Sequence, residues 1–96
     1  MEKIIIPEQD IINAICLFQA RNKNVMPEDV QAELAYDDEE GFSAESFING
    51  QIEAISEAGL IAAVRLWISE FLNRDPFASG IELVLDDEEG IIAVVN

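Results

Sequence analysis

Glu33-Leu34-Ala35-Tyr36-Asp37-Asp38-Glu39-Glu40-Gly41-Phe42-Ser43-Ala44 returns 49 residues later as Glu82-Leu83-Val84-Leu85-Asp86-Asp87-Glu88-Glu89-Gly90-Ile91-Ile92-Ala93. Each copy reads as a strand, an acidic turn, a glycine and a second strand. Leu34 and Tyr36 alternate with Glu33 and Asp37, the period of two that marks a half-buried strand. Gly41 and Gly90 supply the positive φ that a bulged hairpin needs after its turn. The copies align Leu34 with Leu83, Tyr36 with Leu85, Phe42 with Ile91 and Ala44 with Ala93, all on the alternating face that would line a core. Two copies are too few for a repeat array. An ancestral duplication and two hairpins meeting the same turn requirement both remain open.

Upstream of the first copy, Ile4–Ile6 reads as a small strand or an apolar staple. Pro7, Glu8 and Asp10 suit a helix start, where backbone N–H groups are unpaired and the dipole is positive. Ile11, Ala14, Ile15 and Phe18 recur at helical spacing, widened by Ile12, Cys16 and Leu17. The first helix is predicted over Glu8–Asn22, with Arg21 and Lys23 at its negative end. Met26–Asp29 connects it to a strand over Val30–Tyr36, and Phe42–Ile48 forms the next. Asn49-Gly50 is a strong hairpin signal, so Gln51–Ile55 is predicted as a third strand, the alternative being the start of a helix. The second helix runs over Glu57–Asn73, with Leu60, Val64, Trp67, Ile68 and Phe71 as its stripe. Pro76 ends it, and Asp75–Gly80 is a turn. Strands follow at Ile81–Leu85 and Ile91–Val95. The last is apolar on both faces, which places its hairpin nearer a sheet centre.

These elements predict one α+β domain over residues 1–96. Two helices pack on one face of a mostly antiparallel five-stranded sheet, in the order α-β-β-β-α-β-β. In a single sheet, the third strand, second helix and fourth strand make a right-handed crossover. Both acidic turns then lie at the same end, around the start of the second helix.

The composition excludes several functions. With 20 acidic and 5 basic residues the net charge is −15. Phosphate binding needs clustered Lys and Arg, so nucleic acid and anionic membrane surfaces are not expected partners. The chain has no histidine, the commonest metal ligand and general base. One cysteine excludes an intramolecular disulfide. No signal peptide or membrane span is read, so a cytoplasmic protein is expected.

The candidate site is the acidic patch of Asp37, Asp38, Glu39, Glu40, Asp86, Asp87, Glu88 and Glu89. Hard cations take oxygen ligands, yet neither turn has the alternating acids of a calcium loop. Solvated turns that keep strand edges apart are the plainer account, and no metal or cofactor is assigned. Cys16 reads as a packing residue without an activating histidine, Trp67 as core, and Tyr36 as core with a wet tip. Glycine-rich phosphate loops, serine elbows and paired cysteines are absent, so no catalytic residue is named and no enzyme is expected.

Ile6-Pro7-Glu8-Gln9-Asp10-Ile11-Ile12-Asn13-Ala14-Ile15-Cys16, Gly41-Phe42-Ser43-Ala44-Glu45, Arg65-Leu66-Trp67, Arg74-Asp75-Pro76-Phe77, Gly80-Ile81-Glu82-Leu83 and Asp86-Asp87-Glu88-Glu89-Gly90-Ile91-Ile92-Ala93 together resemble the YxcD-like family of short, uncharacterised Bacillus proteins. The resemblance covers nearly the whole chain. It implies a bacterial cytosolic protein of unknown function and brings no site residue with it. The residues themselves favour a small, acidic, non-catalytic interaction domain that binds a protein partner or self-associates as a homo-oligomer. A cation-responsive protein using the two turns is the alternative, and an acidic nucleic-acid mimic a weaker one.

Overall fold

A computed structural model describes residues 3–75 and 80–96. Six strands and two helices follow in the order β1 (Ile4–Ile6), α1 (Glu8–Lys23), β2 (Val30–Asp37), β3 (Gly41–Ile48), β4 (Gln51–Ile55), α2 (Glu57–Phe71), β5 (Ile81–Asp86) and β6 (Gly90–Val95), with a 3-10 turn at Pro27–Asp29. The α+β class and both helices stand as expected. The single five-stranded sheet does not. The strands form two antiparallel three-stranded sheets, ordered β1-β6-β5 and β2-β3-β4. The Ile4–Ile6 segment is the sixth strand: Ile4, Ile5 and Ile6 pair with Val95, Val94 and Ala93. β6 is therefore the centre of its sheet, which is why it is apolar on both faces. The turn expected at Asp75–Gly80, with Pro76 and Phe77, falls mostly outside the described residues.

The 49-residue offset extends far beyond the acidic turns. It maps β1 onto β4, α1 onto α2, β2 onto β5 and β3 onto β6. Glu8 opens α1 and Glu57 opens α2. Ile11, Ala14 and Ile15 fall on Leu60, Ala63 and Val64, all buried. Both helices give way to an asparagine in the left-handed region, Asn24 at φ 57° and Asn73 at φ 53°, a conformation common just past a helix end. The chain is thus two β-α-β-β repeats.

The repeats exchange their first strands. β1 of the first repeat joins the hairpin of the second, and β4 of the second joins the hairpin of the first. The registers correspond residue by residue: Ile6 faces Ala93 as Ile55 faces Ala44, and Ile4 faces Val95 as Glu53 faces Ser46. This is an approximate two-fold. Arg21 and Glu70 form an ion pair and occupy equivalent positions, 49 apart. Equivalent residues can touch only at a two-fold axis, so the axis passes between α1 and α2 at that pair.

One core lies between the helices and both sheets. Ile11 and Ile15 of α1, Leu60, Val64 and Ile68 of α2, Ile6 and Val95 of one sheet, and Ala44 and Ile55 of the other meet there. Each large aliphatic side chain fully buried contributes about 1.5–3 kcal/mol. α1 packs on β2, β3 and β6, whereas α2 packs on β3 and β4. Three expected core residues lie at its margin. Tyr36 and its equivalent Leu85 are exposed, one residue before their turns, and so is Phe71 on the last turn of α2. Each has the right periodicity but sits at the end of its element, beyond the reach of the covering layer.

Candidate functional site

The acidic turns are built by their own carboxylates. Asp37 Oδ1 accepts the Glu39 N–H at 2.7 Å. Asp86 Oδ2 accepts the Glu88 and Glu89 N–H groups at 3.0 and 2.8 Å. Short polar side chains that bond the backbone two residues on are a standard way to form a turn. Gly41 and Gly90 then take φ +82° and +79°.

Each turn also lies beside a helix start. Glu8 Oε2 accepts the Ile91 N–H at 2.9 Å, and a Cβ on Gly90 would lie 2.5 Å from that oxygen. In the first repeat a Cβ on Gly41 would lie 3.4 Å from Glu57 Oε1. The turn of the first hairpin therefore sits at the start of α2, and that of the second at the start of α1. Both positions favour glycine for the left-handed backbone, and at Gly90 a side chain would also have to displace the Glu8 carboxylate.

The expectation that both turns gather around the start of one helix rested on a single sheet, and it falls with that sheet. The structure places Asp37–Glu40 beside one helix and Asp86–Glu89 beside the other. Among the described residues, no group of three or more acidic or cysteine side chains is arranged to hold a metal ion. Asp37 and Asp86 have structural duties, and Asp38, Glu39, Glu40, Asp87, Glu88 and Glu89 are exposed or nearly so.

Cys16 is half-buried and donates its thiol hydrogen to the Val30 carbonyl at 3.3 Å. Burial pushes its pKa up, away from the thiolate that nucleophilic chemistry needs. Trp67 is half-buried against the core and stacks on Phe71 with ring centroids 4.3 Å apart.

Two features escaped the sequence reading. One is a polar cluster inside the first repeat. Gln19 is 2% exposed, and its Nε2 donates to Ser46 Oγ at 2.8 Å and to Glu53 Oε2 at 3.2 Å. Lys23 Nζ lies 2.7 Å from Glu53 Oε1. Hydrogen bonds from Lys23 and then Gln19 hold the Glu53 carboxyl below its ordinary value. The signal was legible: Gln19 falls four residues after Ile15 in the apolar stripe, and Ser46 falls between Ala44 and Ile48.

The other feature is the outer face of β5-β6-β1. Ala93 and Val95 point into the core, so Ile92 and Val94 point away from it. Val84 lies beside Ile92 and Ile5 beside Val94; Ile92 is only 7% exposed, yet none of these four joins the core cluster. Their equivalents in the other sheet are Ser43, Glu45, Ala35 and Ala54.

The family model for the protein of unknown function DUF2653 matches residues 1–88. The chain belongs to that family. A DUF2653 chain of this kind is also similar to the uncharacterized protein YxcD of Bacillus subtilis, 28% identical over 94 residues, which cover 97% of this chain and 92% of that protein. No solved structure matches it. The family sets no activity, so any function must be argued from the geometry above. No helix among the described residues is long and apolar enough to cross a membrane.

Proposed function

We propose that this DUF2653 protein is a non-catalytic cytoplasmic interaction domain that self-associates through the outer face of the β5-β6-β1 sheet. The observation that carries the reading is the difference between two equivalent faces. Ile5, Val84, Ile92 and Val94 stand where the other sheet has Ala54, Ala35, Ser43 and Glu45. In the β2-β3-β4 sheet Glu33 directly faces Glu45, and two like charges side by side require water. Its larger apolar side chains on that face are Phe47 and Ile52, paired at one end. The β5-β6-β1 face instead has β-branched side chains over its middle, Ile5 exposed, Val84 and Val94 half-buried and Ile92 buried beneath them, the kind of surface that sheets use to pack face to face about 10 Å apart.

A second copy fits such a face because the strip formed by Ile5, Val94 and Val84 is apolar and complementary to itself under a two-fold, with one charged side chain, Glu82, beside Val94 at its margin. The net charge of −15 opposes association, but charges farther apart than about 8 Å are largely screened at physiological salt. Ile5 is 61% exposed, leaving apolar area to bury. The test is light scattering on size-fractionated protein in about 0.15 M salt. A dimer that Val94→Glu converts to a folded monomer supports the reading. A strict monomer at high concentration sinks self-association.

A further inference from the structure

The two-fold is broken at one group of positions that runs from the core, at Gln19 and Ser46, to the surface, at Lys23 and Glu53. Gln19, Lys23, Ser46 and Glu53 stand where the other half has Ile68, Leu72, Val95 and Ile4, and all four of those belong to the apolar core or pack against it. The scaffold thus accepts an apolar set at these places. Burying an amide and a hydroxyl instead costs free energy unless each is hydrogen-bonded, and a polar set must be retained for what it does. Beside this set lies a cavity of 240 Å³, with Lys23, Ser46, Gln51 and Glu53 on its polar side and Val25 and Ile48 as apolar wall. It is below the roughly 300–1,000 Å³ of drug-sized sites, so its ligand is small.

We propose that this cavity binds a small zwitterion, a molecule with an ammonium and a carboxylate group beside a short apolar chain, as in a free amino acid. The carboxylate takes the Lys23 ammonium, and the ligand ammonium takes the Glu53 carboxylate. The apolar chain lies against Val25 and Ile48. The side chains of Lys23 and Glu53 are 46% and 48% exposed, and an ion pair so open to water is weakly held. It opens without much loss and presents both signs of charge a short distance apart. The Gln19 amide holds Glu53 Oε2 from within the core, so the carboxylate keeps its position when Lys23 turns to the ligand. A simple anion meets a chain of net charge −15, and a simple cation meets Lys23. A zwitterion satisfies both groups.

The site is independent of the outer face of the other sheet, so the two proposals fail separately. Backbone-amide NMR of the full chain, titrated with leucine, tests it, with butylamine and butyrate as single-charge controls. Leucine should give saturable shifts at Lys23, Ser46 and Glu53, and each control should bind at least about tenfold more weakly. Lys23→Ala and Glu53→Gln should each weaken leucine by about tenfold or more. The triple variant Gln19→Ile, Ser46→Val, Glu53→Ile copies the other half. It should stay folded by circular dichroism and lose the leucine shifts. No saturable shifts by about 10 mM, above the usual 1 μM–1 mM range for metabolites, would overturn the proposal. So would equal binding of the controls, or leucine shifts that persist in the folded triple variant. In those cases the polar set serves only to fix β4 on β3.

Discussion

The two repeats of this chain share a backbone plan and differ in where they place polarity. In the first, the core carries Gln19 and Ser46, and the outer face of its hairpin carries Glu45 and Ser43. In the second, the same positions hold Ile68, Val95, Val94 and Ile92. Positions that agree between the halves are those the fold needs: Glu8 and Glu57 at helix starts, Gly41 and Gly90 after the turns, Ala14 and Ala63 between the helices. Positions that are polar in one half and apolar in the other are not set by the shared plan, and their chemistry is where the two proposals rest. The acidic turns, alike in both halves, belong with the architecture.

The strongest way to break this comparison is in the shared core. Ile11→Ala and Leu60→Ala remove equivalent side chains, each 0% exposed, and each should cost about 2–5 kcal/mol in urea unfolding. A large cost for one and little for the other would mean that the halves are not packed alike.

Gly41→Ala and Gly90→Ala probe the turns. Both place a side chain at positive φ, at a cost of about 1–2 kcal/mol. Gly90→Ala should cost more, because its Cβ displaces Glu8 Oε2 from the Ile91 N–H. Equal losses, or a reversed order, would remove Glu8 from the turn. Thermal unfolding of the two variants decides it.

Acid sharpens the contrast further. The Glu53 carboxyl is held below its ordinary value of 4.5 by Lys23 and Gln19. Its contribution to stability is therefore present above that value and is lost as pH falls through the lower folded-state value. Ile4 at the equivalent position does not titrate. Glu53→Gln should flatten the acid limb of the stability profile relative to wild type. Parallel acid limbs would show that the cluster contributes nothing pH-dependent.

Local pattern made most elements readable. The helical spacing of Ile11, Ala14, Ile15 and Phe18, the alternation of Leu34 and Tyr36, and the Asn49-Gly50 turn each carry their own short-range cause. Sheet partnership has none. Nothing local in Ile4–Ile6 says that it pairs with Val95–Ala93, at the far end of the chain, and that pairing turns one expected sheet into two. The duplication was visible at the acidic turns because acids and glycine are distinctive there. In the helices it is carried by Ile11 against Leu60 or Phe18 against Trp67, which any amphipathic helix would offer. The polar cluster was hidden for a related reason. Gln19, Ser46 and Glu53 come from three elements and mean little until the fold joins them.

The central functional claim is that the β-branched face around Ile5 and Val94 meets a second copy. Light scattering of wild type beside Val94→Glu, which installs the residue already tolerated at Glu45, tests it most directly. The account predicts a wild-type dimer and a folded monomeric variant. A monomeric wild type, or a variant that remains dimeric, would contradict it.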